Sequence, residues 1–193
     1  MIDASWFIAP VETVARALIG ATLTLDGVGG TIVETEAYHR DDPASHTFKG
    51  PTPRNGAMFG PPGRAYVYRA YGMHWCLNLV CGLEPGAAVL IRALAPTTGV
   101  EVMQARRGVS DLRKLCAGPG RLCQALDVRR DHDAMALTAT PFSLTPAMTE
   151  VEIDVGVRIG ISKAVERPWR FGLANSPFVS RPFAIRRRAP ATT

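Results

Sequence analysis

The sequence predicts one domain of the α+β class, and three observations carry that expectation. With 193 residues of which 47% are hydrophobic, the chain can bury one sizeable core. Its β-patterned runs follow one another across short turns, which join antiparallel neighbours into a meander. Helical periodicity stands ahead of those runs and again behind them.

Taken in order, Val11 to Ile19 spaces its apolar residues at helical period, and Gly20 supplies a stop. Thr22 to Leu25 and Gly30 to Tyr38 read as strands joined at Asp26-Gly27, a strong hairpin signal. His39 to Gly63 is crowded with Pro, Gly, Asp, Asn and Thr and has no sustained period, so a long irregular loop of the kind that carries function is expected. Arg64 to Ala70 and His74 to Cys81 form the next hairpin around Tyr71-Gly72, and Ala87 to Leu94 a further buried strand. Helices are expected over Thr98 to Arg106 and Pro119 to Leu126. Before the second, Gly118-Pro119-Gly120 fits a tight entry whose free amides, with Arg121, could anchor a phosphate. Asp127 to Thr149 is poorly patterned, Val151 to Ser162 alternates as a late strand, and residues from about 182 to 193 read as a flexible basic tail ending the single domain 1–193.

Formal net charge is +5, which favours an anionic partner such as nucleic acid or a membrane surface. No apolar run approaches the roughly 18 residues of a membrane span, and the N-terminus lacks a basic region followed by an apolar stretch. An intracellular protein with no membrane partner is expected. Cys76, Cys81, Cys116 and Cys123 have no C-x-x-C spacing, so they read as small buried hydrophobes, and neither metal nor cofactor is expected.

In the extended run Ile32 to Tyr38, alternation points Glu34, Glu36 and Tyr38 to one side. Taken alone, that side is either the solvated face of an edge strand or a functional surface. All four tyrosines fall within the 34 positions from Tyr38 to Tyr71. Tyr71 at a hairpin tip suits a wedge between bases, although a folded-over core tyrosine has the same sequence. Arg92 interrupts the apolar strand Ala88 to Leu94 and must find an acceptor; Glu34 and Glu36 are the candidates, in a functional or a purely structural ion pair.

These segments together resemble the alkyladenine, or methylpurine, DNA glycosylase family. The resemblance spans most of the chain: Ile32 to Tyr38 (IVETEAY), His46, Thr52-Pro53-Arg54-Asn55, Tyr66-Val67-Tyr68, Tyr71-Gly72-Met73, Asn78, Leu90 to Leu94, Gly118-Pro119, Leu122 to Leu126 and Arg158-Ile159-Gly160. The chain departs from the pattern at His74-Trp75, in a slightly shorter loop before Thr52, and over Asp127 to Thr149.

The resemblance implies a curved antiparallel sheet flanked by helices, and a monomer that takes damaged purines out of double-stranded DNA to begin base excision repair. It makes Glu36 the general base, with Arg92 and the Ile159 carbonyl helping it to hold the attacking water. Tyr38 and His46 would cover the two faces of the flipped base, Tyr68 would meet its edge, and Asn78 would line the pocket floor. Tyr71 would intercalate, while Thr52, Arg54 and Met73 would face DNA. In a bacterium the protein would act in the cytoplasm or nucleoid. The proposed pocket strands contain no lysine, so no Schiff-base lyase step is expected. Replacing Glu34 is expected to be much milder than replacing Glu36. Competing readings are a non-catalytic architectural DNA binder, which would have no use for a carboxylate near phosphates, and a free-nucleoside hydrolase, which would need no wedge.

Overall fold

A single long strand, Val28–Tyr38, organises the sheet, because neighbours hydrogen-bond along both of its edges. The computed structural model describes residues 2–184. The basic tail expected from about residue 182 lies, from residue 185 onward, outside the described residues.

Strands β1 (Thr22–Leu25) and β2 (Val28–Tyr38) turn at Asp26 and Gly27, both at positive φ (49° and 75°), as a type I′ hairpin requires. Then come β3 (Ala65–Ala70), β4 (His74–Cys81), β5 (Ala87–Thr98), β6 (Phe142–Thr145), β7 (Ile153–Gly156) and β8 (Arg170–Leu173). The order across the sheet is β3-β4-β5-β2-β1-β6, with β8 pairing both β2 and β7, and every pairing is antiparallel. One edge of β2 lies against β5. Its other edge meets β1 over Val28 to Thr31 and then β8 over Glu34 to Glu36.

Register shifts between Ile32 and Glu34 and between Glu34 and Thr35 bend this central pair, as extra residues in a ladder do. Gly29 and Gly30 admit the close approach of neighbouring strands: a Cβ there would lie 2.0 Å from the carbonyl oxygens of Leu23 and Ala95, respectively. The result is a curled antiparallel sheet with helices on it, the α+β class read from the sequence.

Helix α1 (Val11–Ala17) packs on β2 and β5 through buried Val14 and Ala15, and Thr35 donates to the Ala15 carbonyl at 2.9 Å. Helix α2 (Val100–Arg107) packs on α4 (Pro119–Leu126), with the short α3 (Leu112–Leu115) between them in sequence. Buried Leu122, Cys123, Ala125 and Leu126 set α4 on β4 and β5. All four cysteines are buried free thiols. Among the described residues, no helix is long and apolar enough to cross a membrane.

The structure departs from the pattern in several places, among them the unpredicted β8 and α3. Helix α1 stops at Ala17, and β5 runs on to Thr98, where a helix was expected to begin. The late strand is only Ile153–Gly156, because the chain from Val157 leaves the sheet. The poorly patterned region holds β6, whose four residues alternate buried and exposed over too short a span to stand out.

Candidate active site

The acidic face of β2 is not solvated. Glu34 and Glu36 are both 0% exposed, because β2 is a central strand and later loops cover that face. Each carboxylate is held by specific donors. Glu36 Oε1 accepts the Ile159 N–H at 2.7 Å, while Oε2 accepts the Tyr38 hydroxyl at 2.9 Å and Arg92 Nη1 at 3.2 Å. Glu34 accepts Arg92 Nε at 3.0 Å, Arg170 Nε at 2.7 Å and the Ser180 hydroxyl at 2.8 Å, together with the Ser180 N–H. Two guanidiniums thus balance two carboxylates, as such burial requires.

Burial pushes the Glu36 carboxyl above the ordinary range, and the opposing pull of Arg92, the Ile159 N–H and Tyr38 does not cancel it. For Arg92, burial acts against the charge, but Glu36 and Glu34 outweigh it and the guanidinium is raised. The Tyr38 hydroxyl is raised by burial and by the neighbouring Glu36 charge, so it stays a donor.

In front of Glu36 opens a cleft of about 950 Å³. Alternation along the β3–β4 hairpin places Tyr66, Tyr68, Cys76 and Asn78 on the face toward it, and Tyr38, His46, Arg92 and Ile159 complete the walls. Tyr66 stacks on Tyr68 at 5.4 Å between centroids, and the His46 ring meets Tyr68 edge-on at 4.5 Å. His46 Nδ1 shares a hydrogen bond of 2.9 Å with the Tyr66 hydroxyl. Its pKa is lowered, first by burial and then by Arg54, so the ring is neutral near neutral pH. Asn78 is buried and donates to the Tyr66 carbonyl at 3.0 Å, which fixes the amide in the wall.

At the hairpin tip Tyr71 is 85% exposed and held at φ 50°, a strained conformation for a bulky side chain. A folded-over core tyrosine is thereby excluded. Met73 beside it and Thr52 and Arg54 on the long loop are also exposed, Arg54 donating to the Arg69 carbonyl at 2.8 Å. The turn Gly118–Gly120 and Arg121 border the same cleft. A Cβ on Gly120 would lie 2.9 Å from the His74 ring, so glycine lets the start of α4 abut the hairpin.

The structure therefore brings Tyr38, His46, Tyr68, Asn78, Arg92, Ile159, Tyr71, Arg54 and Arg121 to one cleft, with Glu36 behind its wall. The contact from Ile159 to Glu36 is made by its N–H.

Other contacts have no signal in the local pattern, although Arg158 belongs to a segment that carries the resemblance. Arg158 is buried and binds Asp42 and the Ala37 carbonyl, and its guanidinium lies 4.7 Å from the Tyr38 ring centroid. It ties the long loop to the strand that carries Glu36. Lys163 also borders the cleft, from a loop that a reading confined to the pocket strands does not reach.

Comparison with known proteins gives the chain its family. The family model described as Methylpurine-DNA glycosylase (MPG) matches residues 5–177. A protein of Nitrosospira multiformis is 60% identical over 178 residues, covering 92% of each chain. One of Rhodopseudomonas palustris (strain BisB18) is 60% identical over 182 residues, covering 93% of this chain and 90% of its own. One of Rhizobium meliloti is 58% identical over 181 residues, covering 94% and 97%. All three bear the name "Putative 3-methyladenine DNA glycosylase".

Proposed function

Because the chain belongs to the methylpurine-DNA glycosylase family, we propose that it draws an alkylated or deaminated purine out of duplex DNA and hydrolyses the N-glycosidic bond with a water activated by Glu36. The observation that carries this reading is a carboxylate held by three donors immediately behind an aromatic-walled cleft large enough for a nucleoside.

An N3- or N7-alkylated purine is cationic and leaves readily, so it needs little acid help. Its electron-poor ring stacks well on Tyr38 and on a neutral His46, whereas a protonated imidazole would repel it. What remains is to place water against the sugar and to stabilise an oxocarbenium-like transition state, and one carboxylate can do both. Among the described residues Glu36 Oε1 accepts from one donor, the Ile159 N–H, so it keeps the capacity to accept a hydrogen bond from a water admitted beside the loop that borders the cleft. The Ile159 carbonyl and Arg92 would complete the water's surroundings, and Asn78 would reject the exocyclic amino group of normal guanine.

Tyr71 would fill the vacated stack, with Thr52, Arg54 and Met73 along the DNA and Arg121 at a phosphate. Arg121→Ala should flatten the salt dependence of duplex binding by about one unit of log–log slope. The protein would work as a monomer inside the cell.

The direct experiment incubates the protein with duplexes that each carry one damaged base, then adds alkali. Base release with strand breaks only after alkali is the expected result. No release from any lesion would leave DNA binding without catalysis. Breaks before alkali, with borohydride trapping through Lys163, would overturn the purely hydrolytic reaction.

A further inference from the structure

The β3–β4 hairpin has a second face. Alternation that turns Tyr66 and Tyr68 toward the Glu36 cleft turns Arg69 the other way, and Arg69 pairs across the strands with Trp75. Around the outer edge of β3 and the hairpin tip lies a second groove of about 520 Å³, lined by Arg69, Gly72, Trp75 and Arg130 and sharing Arg54, Tyr68 and the wedge residue Tyr71 with the cleft. Its chemistry differs from that of the cleft. Three guanidiniums surround it, and no acidic side chain is among its lining residues. Of the three, Arg130 has a carboxylate partner among the described residues, Asp133 at 3.3 Å. The Arg69 guanidinium stands 5.6 Å from the Trp75 ring centroid, a cation–π contact within the lining of the groove. Arg54 is fixed by its bond to the Arg69 carbonyl and lies 5.9 Å from the Tyr68 ring centroid, on the ridge between groove and cleft.

We infer that this groove binds phosphodiester backbone of the strand opposite the lesion, so that the hairpin grips both strands when its tip enters the duplex. This inference rests on the function proposed above. A ribbon whose tip passes between two strands presents one face to each. Tyr66 and Tyr68 wall the cleft for the extruded nucleotide, whereas Arg69, Trp75 and Arg130 border the groove and not the cleft, which leaves that side of the hairpin for the complementary strand. A concave site whose guanidiniums outnumber the carboxylates paired with them concentrates positive potential, and planar guanidiniums match phosphate oxygens two at a time. Trp75 supports this use, because its ring gives the Arg69 guanidinium a platform at the groove. The site would also resist slippage of the partner strand once its base has lost its pairing mate.

The test is a cycle on the full chain that combines Arg69→Ala with single neutral methylphosphonate linkages placed one at a time on either strand near a non-cleavable lesion analogue. Arg69 is exposed, so folding is not at issue, and Arg69→Lys preserves the charge without the planar fork. Methylphosphonates in the complementary strand should weaken binding by the wild type and cost Arg69→Ala nothing further. The log–log salt slope of Arg69→Ala should also be shallower by about one unit, while Arg69→Lys, which keeps the charge, should retain the wild-type slope. Equal costs for wild type and Arg69→Ala at every complementary-strand linkage would overturn the inference, as would an unchanged salt slope in Arg69→Ala. Coupling confined to the lesion strand would refute the strand assignment. Binding is read without base release, so a protein that shows this coupling yet excises nothing would sink the proposed catalysis and leave the groove standing.

Discussion

Replacing Glu36 by Gln should stop base release while leaving a folded but weakened domain, and the hydrogen bonds around it set the size of both effects. The carboxylate meets donors at both oxygens: Ile159 N–H at Oε1, and Tyr38 and Arg92 at Oε2. An amide has one oxygen and one NH₂ group, so either orientation faces NH₂ against a donor. The less costly orientation keeps the oxygen on Tyr38 and Arg92 and leaves the Ile159 N–H without an acceptor. That costs about 1–3 kcal/mol, the penalty for one unmet buried group. Arg92 still has Glu34 at 3.0 Å, so the pair network survives. For a chain of this length the loss corresponds to roughly 2–12 °C in melting temperature. Catalysis should suffer far more. A lost general base costs about a hundredfold to ten-thousandfold, because the amide cannot accept a proton from water. The assay is single-turnover excision from a lesion duplex at a temperature where circular dichroism shows both proteins folded, with duplex binding measured alongside. If the folded variant retains more than about a tenth of the wild-type rate, Glu36 is not the base.

Three further outcomes follow from the same geometry. Glu34→Gln should reduce excision by the folded protein much less than Glu36→Gln, yet destabilise it more, by about 3–5 kcal/mol, because Glu34 is the acceptor shared by Arg92 and Arg170; a melt like that of the wild type would contradict this. Excision of a cationic lesion should rise with pH as Glu36 ionises and then level off. Because burial raises its pKa, that rise lies above the ordinary glutamate range, and a rate already flat within that range would argue against Glu36. Tyr71→Ser should lower the flipped fraction reported by a fluorescent base beside a paired lesion, and less so at a frayed end, where less stacking is lost; equal flipping by both proteins would remove the wedge.

What the sequence revealed depended on whether a feature repeats along a strand or forms across the chain. The strands β1 and β4 and the helix α4 emerge with correct bounds, because their periodicity and turn residues are local. Arg92 was legible for the same reason: a guanidinium in an apolar strand demands a carboxylate, and Glu34 and Glu36 both answer. Pattern alone could not decide whether the acidic face of β2 was solvated. The cover is supplied by residues 123 and 146 positions later, Ile159 over Glu36 and Ser180 over Glu34, in segments without a repeating pattern. The Arg158–Asp42 pair was illegible on the same physical ground, since each partner sits in irregular chain where an isolated charge looks solvent-facing. Yet that pair backs the Tyr38 ring, and Arg158 directly precedes the amide that holds Glu36 Oε1. The chain leaves the sheet at Val157, directly before these contacts. A continued strand would carry Arg158 and Ile159 along the sheet edge, whereas the irregular turn delivers one behind the Tyr38 ring and the other onto the Glu36 carboxylate. The segment that defeated pattern reading is the one that joins the two halves of the site.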